Sequence, residues 1–387
     1  MRFIIFLLLF LITSVCTISA KESTIQTGDT RFSEYLPLIK GKRVALFSNH
    51  TGLIGKQHIV DILLRKKQNI TLLFSPEHGF RGEADAGEKV NNSIDKTTGI
   101  PIYSLYGKSE KNLQDISGKF DILLIDIQDV GLRFYTYYVT MHRLMDYCTK
   151  HKKPVILLDR PNPNGFYVDG PLLQMKYKSG VGYLPIPVVH GLTLGELALM
   201  INGERWLPEG RICDLTVIPC LNYTHQSRYE LPVPPSPNLK TMKAIYLYPS
   251  LCYFEATPVS LGRGTAYPFL VFGHPNMKGD FLFTPKSVAG AKNPPLLHKE
   301  CKGYDLRQLP DSAIWEKGIN LEYLITAYKQ LNIGDKFFTP FFEKLIGVSY
   351  VRQMIEAGKS ADEIKERWQE DVRKFKIQRK PYLLYAE

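Results

Sequence analysis

The chain has 387 residues, of which 44% are hydrophobic and 22% charged, so its composition is that of an ordinary globular protein. Five cysteines follow Cys16, and none has C-x-x-C spacing, which argues against a redox or zinc-ribbon protein. Cys213 and Cys220 could pair if they lie on adjacent strands, which the sequence alone does not show. At roughly 100–200 residues per domain, we expect two domains.

The net charge is +11 at pH 7, which indicates an anionic partner. Basic chains bind nucleic acid or favour an anionic surface or substrate outside the cytoplasm. The Lys and Arg residues are scattered, without an arginine-rich block. We therefore predict no nucleic-acid partner.

Residues 1–20 are predicted to be a secretory signal peptide. Arg2 precedes the apolar run Phe3–Ile12, and small and polar residues lead to Ala20. The apolar run is short for a membrane span. We predict an exported protein, periplasmic or extracellular, without stable membrane insertion. The alternatives are a membrane anchor and a lipoprotein modified at Cys16.

Apolar runs alternate with helical patterns at the spacing of βαβ units. We predict an α/β fold with a Rossmann-like, mostly parallel sheet in residues 21–247, followed by a smaller α+β domain in residues 248–387 that closes a cleft. The predicted strands are Arg43–Ser48, Ile70–Ser75, Ile100–Tyr103, Asp121–Asp126, Pro154–Leu158 and Cys213–Pro219. Two capping boxes predict helices that begin after Thr193 and Ser360, the second running to Phe375.

Polar residues follow four of these strands: Asn49-His50, Glu77-His78, Gln128-Asp129 and Asp159-Arg160. The carboxyl ends of parallel strands share one edge of a sheet, where ligands bind. We predict a site there, although Asp and Asn also cap helices. Neither G-x-G-x-x-G after the first strand nor a P-loop occurs, so nucleotide cofactors are unsupported and we predict no cofactor.

Arg263 lies between Gly262 and Gly264, which allow close approach of a ligand to the backbone. A guanidinium displayed in this way can bind a carboxylate through two parallel hydrogen bonds. The alternative is a tight turn with an arginine at the surface.

Five motifs occur in series: Ser75-Pro76-Glu77-His78-Gly79, Asp126–Gly131, Arg160–Gly165, Pro235–Leu239 and Phe254–Thr265. Together they closely resemble the exo-β-N-acetylmuramidase family, the NamZ-like peptidoglycan hexosaminidases. The resemblance covers the chain from about Arg43 to Tyr385. It implies a Rossmann-like domain, a smaller domain and an active site between them.

The resemblance also implies release of N-acetylmuramic acid from the non-reducing end of peptidoglycan fragments, either muropeptides or a disaccharide of N-acetylmuramic acid and N-acetylglucosamine. Glu77 matches the catalytic acid of the family. For the second catalytic group we rank Glu88 before Asp129, and the acetamido group of the substrate is a third possibility. The residues expected to bind substrate are Asn49, His50, His78, Arg133, Tyr135, Asn162, Glu255 and Arg263.

Among these, Arg263 is the first choice for the lactyl carboxylate and Arg133 the second. Two other functions remain open. One is a metal-dependent hydrolase that uses His50, His78, Glu77, Asp126 and Asp129. The other is an exported two-domain protein that binds a sugar without turnover.

Overall fold

The computed structural model describes residues 24–76, 79–81, 92–105 and 116–387. The predicted signal peptide lies outside these residues. No helix in the described ranges is long and apolar enough to cross a membrane.

A seven-stranded sheet forms the first half of the molecule. Its strands are β1 (Arg43–Ser48), β4 (Asn69–Ser75), β5 (Ser93–Ile94), β6 (Pro101–Ser104), β7 (Ile122–Asp126), β8 (Val155–Leu158) and β9 (Leu215–Ile218), and a small hairpin of β2 (Leu53–Ile54) and β3 (Gln57–His58) follows β1. The strand order is β5-β6-β4-β1-β7-β8-β9. Every neighbouring pair is parallel except the edge pair β5–β6. The prediction of a Rossmann-like, mostly parallel sheet is therefore confirmed.

Both faces of this sheet are covered, which explains why its central strands are apolar at successive positions. Ala45 and Phe47 pack into the larger core, whereas Val44 and Leu46 pack into a second core on the opposite face. The second core contains residues of α1 (Phe32–Ile39) and α2 (Ile59–Arg65); α3 (Tyr137–Lys150) and α4 (Leu194–Gly203) contribute to the larger one.

The second half begins with α5 (Met242–Leu251) and contains a small antiparallel sheet. The remaining elements are β10 (Val271–His274), β11 (Phe281–Phe283), β12 (Cys301–Asp305), α6 (Asp311–Lys317), α7 (Glu322–Leu331), α8 (Phe341–Ile346), α9 (Tyr350–Glu356), α10 (Ala361–Glu366) and α11 (Gln369–Arg379). The order of this sheet is β10-β12-β11. The predicted smaller α+β unit is thus present. Residue 247 lies within α5, and the exact domain boundary stays a prediction.

One prediction needs correction, and the question of a Cys213–Cys220 pair, left open by the sequence, is answered. The helix expected from Ser360 to Phe375 is divided into α10 and α11 around Trp368, whose indole N–H donates to Asp169 Oδ1 over 2.8 Å in the core. Cys213 and Cys220 do not pair, and both are free and buried. The two predicted capping boxes, at Thr193 and Ser360, are both formed.

The C-terminal segment returns to the first half of the molecule. The Tyr385 hydroxyl donates to Asp159 Oδ2 over 2.6 Å, and the Leu384 N–H donates to Glu196 Oε1 over 2.8 Å. Both acceptors are buried in the first half. These contacts fix the second half against the end of the sheet where the predicted site lies.

Candidate active site

The strand ends that carry the predicted site do share one edge of the sheet. β1, β4, β7 and β8 are parallel neighbours, so the residues that follow them emerge on the same side. Glu77, His78 and Glu88 lie outside the described residues. The strand that leads to Glu77 is described through Pro76, and its Ser75 carbonyl accepts a 3.0 Å hydrogen bond from the Leu105 N–H. Because Leu105 also lines the cavity described below, this bond holds the end of β4 beside that cavity.

The Asn49 side chain stabilises the loop after β1 through hydrogen bonds. Its Oδ1 accepts hydrogen bonds from the Thr51 N–H (3.0 Å) and the Thr51 hydroxyl (2.6 Å), and its Nδ2 donates to the Tyr137 hydroxyl over 3.0 Å. The side chain is fully buried. The predicted contact with substrate does not fit this arrangement, because the amide is already used to shape the loop.

His50 and Tyr135 hold the Pro-rich segment that crosses between the two halves. His50 Nε2 lies 2.8 Å from the Pro234 carbonyl, and the Tyr135 hydroxyl donates to the Pro235 carbonyl over 2.8 Å. The Tyr137 hydroxyl approaches the same Pro235 carbonyl at 3.3 Å. Tyr135 also lines the cavity, so its ring is placed where a sugar could contact it, whereas its hydroxyl is occupied.

Asp129 is a buried carboxyl with one oxygen in use. Its Oδ1 accepts from the Gly131 N–H over 2.8 Å, whereas Oδ2 has no hydrogen-bond partner among the described residues. Burial raises the pKa of Asp129 to about 7, against the lowering effect of the backbone N–H groups of Gly131 and Val130. A carboxyl with this pKa can give or take a proton near neutrality.

Asp129 does not line the cavity itself. It lies close enough to Tyr135 and Tyr138 for its charge to contribute to the raised pKa of both hydroxyls, where burial is the largest cause. Asp129 is therefore near Tyr135, which lines the cavity, and near Tyr138, which does not.

The Asn162 side chain also stabilises a loop through hydrogen bonds and is not directed at a ligand. Its Nδ2 donates to the Leu192 carbonyl and its Oδ1 accepts from the Asn164 N–H, each over 2.8 Å. A Cβ on Gly131 would collide with this side chain, so only glycine fits at that position. The predicted contact between Asn162 and substrate does not fit these bonds.

The residues after β8 form a buried ionic network. Arg160 binds both oxygens of Asp126 at 2.6 and 3.0 Å and also contacts Asp29 Oδ2 at 2.6 Å. Asp126 is therefore engaged by a guanidinium and is not available as a metal ligand. No group of three or more His, Cys, Asp and Glu side chains within the described ranges is arranged to hold a metal ion.

A cavity of about 940 Å³ lies between the two halves and receives side chains from both. Residues from Phe134 to Arg143 form one wall, and Glu255 and Arg263 belong to the opposite half of the chain. The volume lies within the range of roughly 300–1,000 Å³ that is usual for small-molecule sites. The arrangement supplies aromatic rings, hydroxyl groups and cations to a ligand.

Glu255 and Arg263 line this cavity as an ion pair, with Arg263 Nη2 2.6 Å from Glu255 Oε1. Burial favours the neutral guanidine, but the Glu255 carboxylate outweighs it, so the pKa of Arg263 is raised. Gly262 and Gly264 both have positive φ values, as the predicted display of Arg263 requires. The guanidinium thus faces the cavity already paired with a carboxylate of the protein.

Arg133 is placed in the interior and not in the cavity. Its Nη1 donates to the carbonyls of Pro171 and Ile186, and its Nη2 donates to those of Leu345 and Ile346. The side chain is fully buried, and burial lowers the pKa of Arg133 to about 10. The predicted role as a second choice for the substrate carboxylate does not fit, because four backbone carbonyls occupy the guanidinium.

Comparison with known families identifies the chain. Residues 44–243 match the N-terminal part of the exo-beta-N-acetylmuramidase NamZ, and residues 246–385 match its C-terminal part. The chain belongs to the NamZ family.

Three relatives agree with this membership. The chain is 37% identical to the peptidoglycan beta-N-acetylmuramidase NamZ of Bacillus subtilis (strain 168), over 95% of this chain and 93% of that protein. A crystal structure of a DUF1343 family protein from Bacteroides fragilis has 63% identity and a TM-score of 0.88, over 94% of this chain and all of that one. A second such structure from the same organism has 27% identity and a TM-score of 0.81, covering 94% and 99%.

As a member of the NamZ family, the protein is a glycosidase. One part of its cavity was not predicted from the sequence, namely the polar stripe formed by Thr136, Thr140 and Arg143. These residues are four and three positions apart and share one face at the start of α3. The sequence does contain an indication of this stripe, because these polar residues recur at helical spacing in a segment whose other residues are mostly buried.

Proposed function

We propose that the protein is an exo-acting β-N-acetylmuramidase that removes N-acetylmuramic acid from the non-reducing end of peptidoglycan fragments. The observation that carries this proposal is the cavity between the two halves, beside the end of β4 from which the chain continues into Glu77. Membership in the NamZ family supports the same reaction class. An acidic amino sugar also suits a cavity that contains Arg143 and Arg263.

In this proposal Glu77 is the general acid that protonates the leaving glycosidic oxygen. Glycoside hydrolysis needs such a donor and a second group that attacks, activates water or assists from the substrate. Glu77 directly follows Pro76, and the Ser75 carbonyl accepts a hydrogen bond from Leu105 in the cavity wall, so the described part of the chain reaches this wall just before Glu77.

For the second group Glu88 and Asp129 are both candidates: Asp129 has a buried oxygen without a partner among the described residues and a pKa of about 7, but it does not line the cavity. Glu88 lies outside those residues and stays a prediction. The acetamido group of the substrate is the remaining alternative for this role. Within the same proposal the protein is exported, since Arg2 and the apolar run after it have the pattern of a signal peptide.

Replacing Glu77 with Gln tests the assignment of the acid. The substrate is a synthetic disaccharide of N-acetylmuramic acid and N-acetylglucosamine, and the readout is release of N-acetylmuramic acid. Since a positioned proton donor typically contributes about 10²–10⁴-fold, we expect Glu77→Gln to lower kcat by that factor.

Glu370→Gln is the matched control, because the Glu370 side chain is 53% exposed on α11. We expect the control to retain normal turnover. Near-normal turnover by a folded Glu77→Gln variant would remove Glu77 from the catalytic role.

A further inference from the structure

Three cationic side chains line the cavity within the part of the chain that the structure describes: Arg143, Arg263 and Lys292. They differ in the hydrogen bonds and ion pairs that they already make with other residues. Arg263 is paired with Glu255 at 2.6 Å, and Lys292 is engaged in another interaction. Arg143 has neither a hydrogen bond nor an ion pair with any described residue. Among the residues that the structure describes, none therefore occupies the hydrogen-bond donors of its guanidinium.

Arg143 is a half-buried residue beside an aromatic ring. Its Cζ lies 5.9 Å from the centre of the Tyr183 ring, a weak cation–π contact that uses no N–H donor. A partly buried charge loses some of its hydration, which is costly unless a counter-ion replaces it, and no described residue supplies one to Arg143. An anionic ligand in the cavity would remove this cost.

Arg143 also has polar neighbours along the chain. Thr140 lies one turn before it on α3, Thr136 immediately precedes this helix, and both line the same cavity. Both are half-buried, and neither hydroxyl donates a hydrogen bond to another described residue. The stripe thus offers one cation and two hydroxyl groups on a rigid helix, which holds a ligand more accurately than a loop.

We propose that Arg143 is a specificity-determining residue that binds the lactyl carboxylate of N-acetylmuramic acid. This inference rests on the proposed function, and it assigns to Arg143 the contact that the sequence analysis assigned to Arg263. A guanidinium binds a carboxylate through two parallel N–H···O bonds. N-acetylglucosamine lacks the lactyl group, so this contact separates the two amino sugars of peptidoglycan.

The test compares two disaccharide substrates, one with a free lactyl carboxylate and one with the same group as its methyl ester. Both keep the shape of the sugar, and only one is charged. Wild-type protein is expected to have the higher kcat/KM on the acid. Arg143→Ala is expected to lower kcat/KM about 10- to 100-fold on the acid and much less on the ester. Arg143→Lys keeps the charge and is expected to retain part of the preference.

Two further variants serve as comparison. Arg263→Ala is expected to affect both substrates equally, because it removes the partner of Glu255. Arg373→Ala changes an arginine on α11 whose side chain is 73% exposed, and it is expected to change neither value. Thermal unfolding of each variant checks that the fold is retained.

Direct binding provides a second readout that needs no turnover. Titration calorimetry of N-acetylmuramic acid and its methyl ester, with the wild type and Arg143→Ala, measures the same preference. Equal losses on acid and ester would overturn the assignment, as would a preference lost in Arg263→Ala and kept in Arg143→Ala. If the wild type cleaves neither substrate but prefers the acid in calorimetry, and Arg143→Ala loses that preference, the proposed function fails and the role of Arg143 stands.

Discussion

The buried carboxyl of Asp129 makes the free energy of unfolding depend on pH. Its pKa is about 7 in the folded protein and near 3.8 when the chain is unfolded, because burial disfavours the charged form. Between these values the folded state binds more protons than the unfolded state. The contribution of Asp129 therefore lowers the free energy of unfolding as the pH rises from about 4 to 7.

We expect Asp129→Asn to remove this pH-dependent cost and to lower activity. Near pH 4 the carboxyl is protonated and resembles the amide, so wild type and variant should have similar stability. By pH 7.5 the variant should be more stable than the wild type, by an amount on the order of a few kcal/mol. Urea unfolding at pH 4, 5.5 and 7.5 measures the difference, and turnover is assayed in parallel.

Other buried carboxyls affect the pH dependence of stability equally in the wild type and in Asp129→Asn. Burial also raises the pKa of Asp29 and Asp159, each to about 6, and their contributions cancel in the comparison of wild type with Asp129→Asn. A difference in stability that does not change with pH would contradict the assigned pKa. Unchanged turnover would remove Asp129 from the proposed mechanism.

Some site residues could not be distinguished by sequence alone. Asn49 and Asn162 follow strands at the correct edge, as predicted, yet their amides hydrogen-bond to their own loops. A polar residue after a strand can point to a ligand or to the backbone, and the loop conformation decides between them. The sequence placed these residues near the site but did not determine their direction.

At the scale of elements, the central strands were predicted closely because each is a short apolar run between polar residues. β1 has the predicted bounds, Arg43–Ser48, and β7 is one residue shorter than predicted. The break between α10 and α11 was not predictable from periodicity. It accompanies the contact between Trp368 and Asp169, two residues 199 positions apart.

Arg133 joins elements of both halves through backbone carbonyls. Leu345 and Ile346, at the end of α8, accept from one of its terminal nitrogens, and Pro171 and Ile186 accept from the other. A cation near a helix C-terminus also interacts favourably with the helix dipole. Because all four acceptors are distant in sequence, the role of Arg133 could not be read from its motif.

We expect Arg133→Lys to destabilise the protein while leaving the preference for the free lactyl carboxylate intact. A compact ammonium group cannot reproduce the fork that reaches four carbonyls. Since each buried carbonyl left without a donor costs about 1–3 kcal/mol, we expect a loss of about 2–5 kcal/mol in urea unfolding. The surface variant Arg373→Lys is the control. A lost preference with unchanged stability would instead make Arg133 a substrate-binding residue.

At the scale of the whole molecule, the cavity depends on contacts that join the two halves. Tyr385 reaches Asp159, and His50 and Tyr135 hold the crossing segment at Pro234 and Pro235. The sequence predicted a sheet, a second unit and a cleft between them. These hydrogen bonds could not be predicted from the sequence, because each joins residues at least 100 positions apart in the chain.

The net charge of +11 agrees with an anionic polymer as substrate, and the cavity accounts for where one acidic sugar would bind. We expect this cavity to release N-acetylmuramic acid from one end of a glycan. The most direct measurement is incubation with a muropeptide of at least four sugars, ending in N-acetylmuramic acid at its non-reducing end, followed by mass analysis over time. We predict that free N-acetylmuramic acid is the first product and that one sugar is lost from the end. Internal cleavage into disaccharides, or an intact substrate after prolonged incubation with folded protein, would contradict the account.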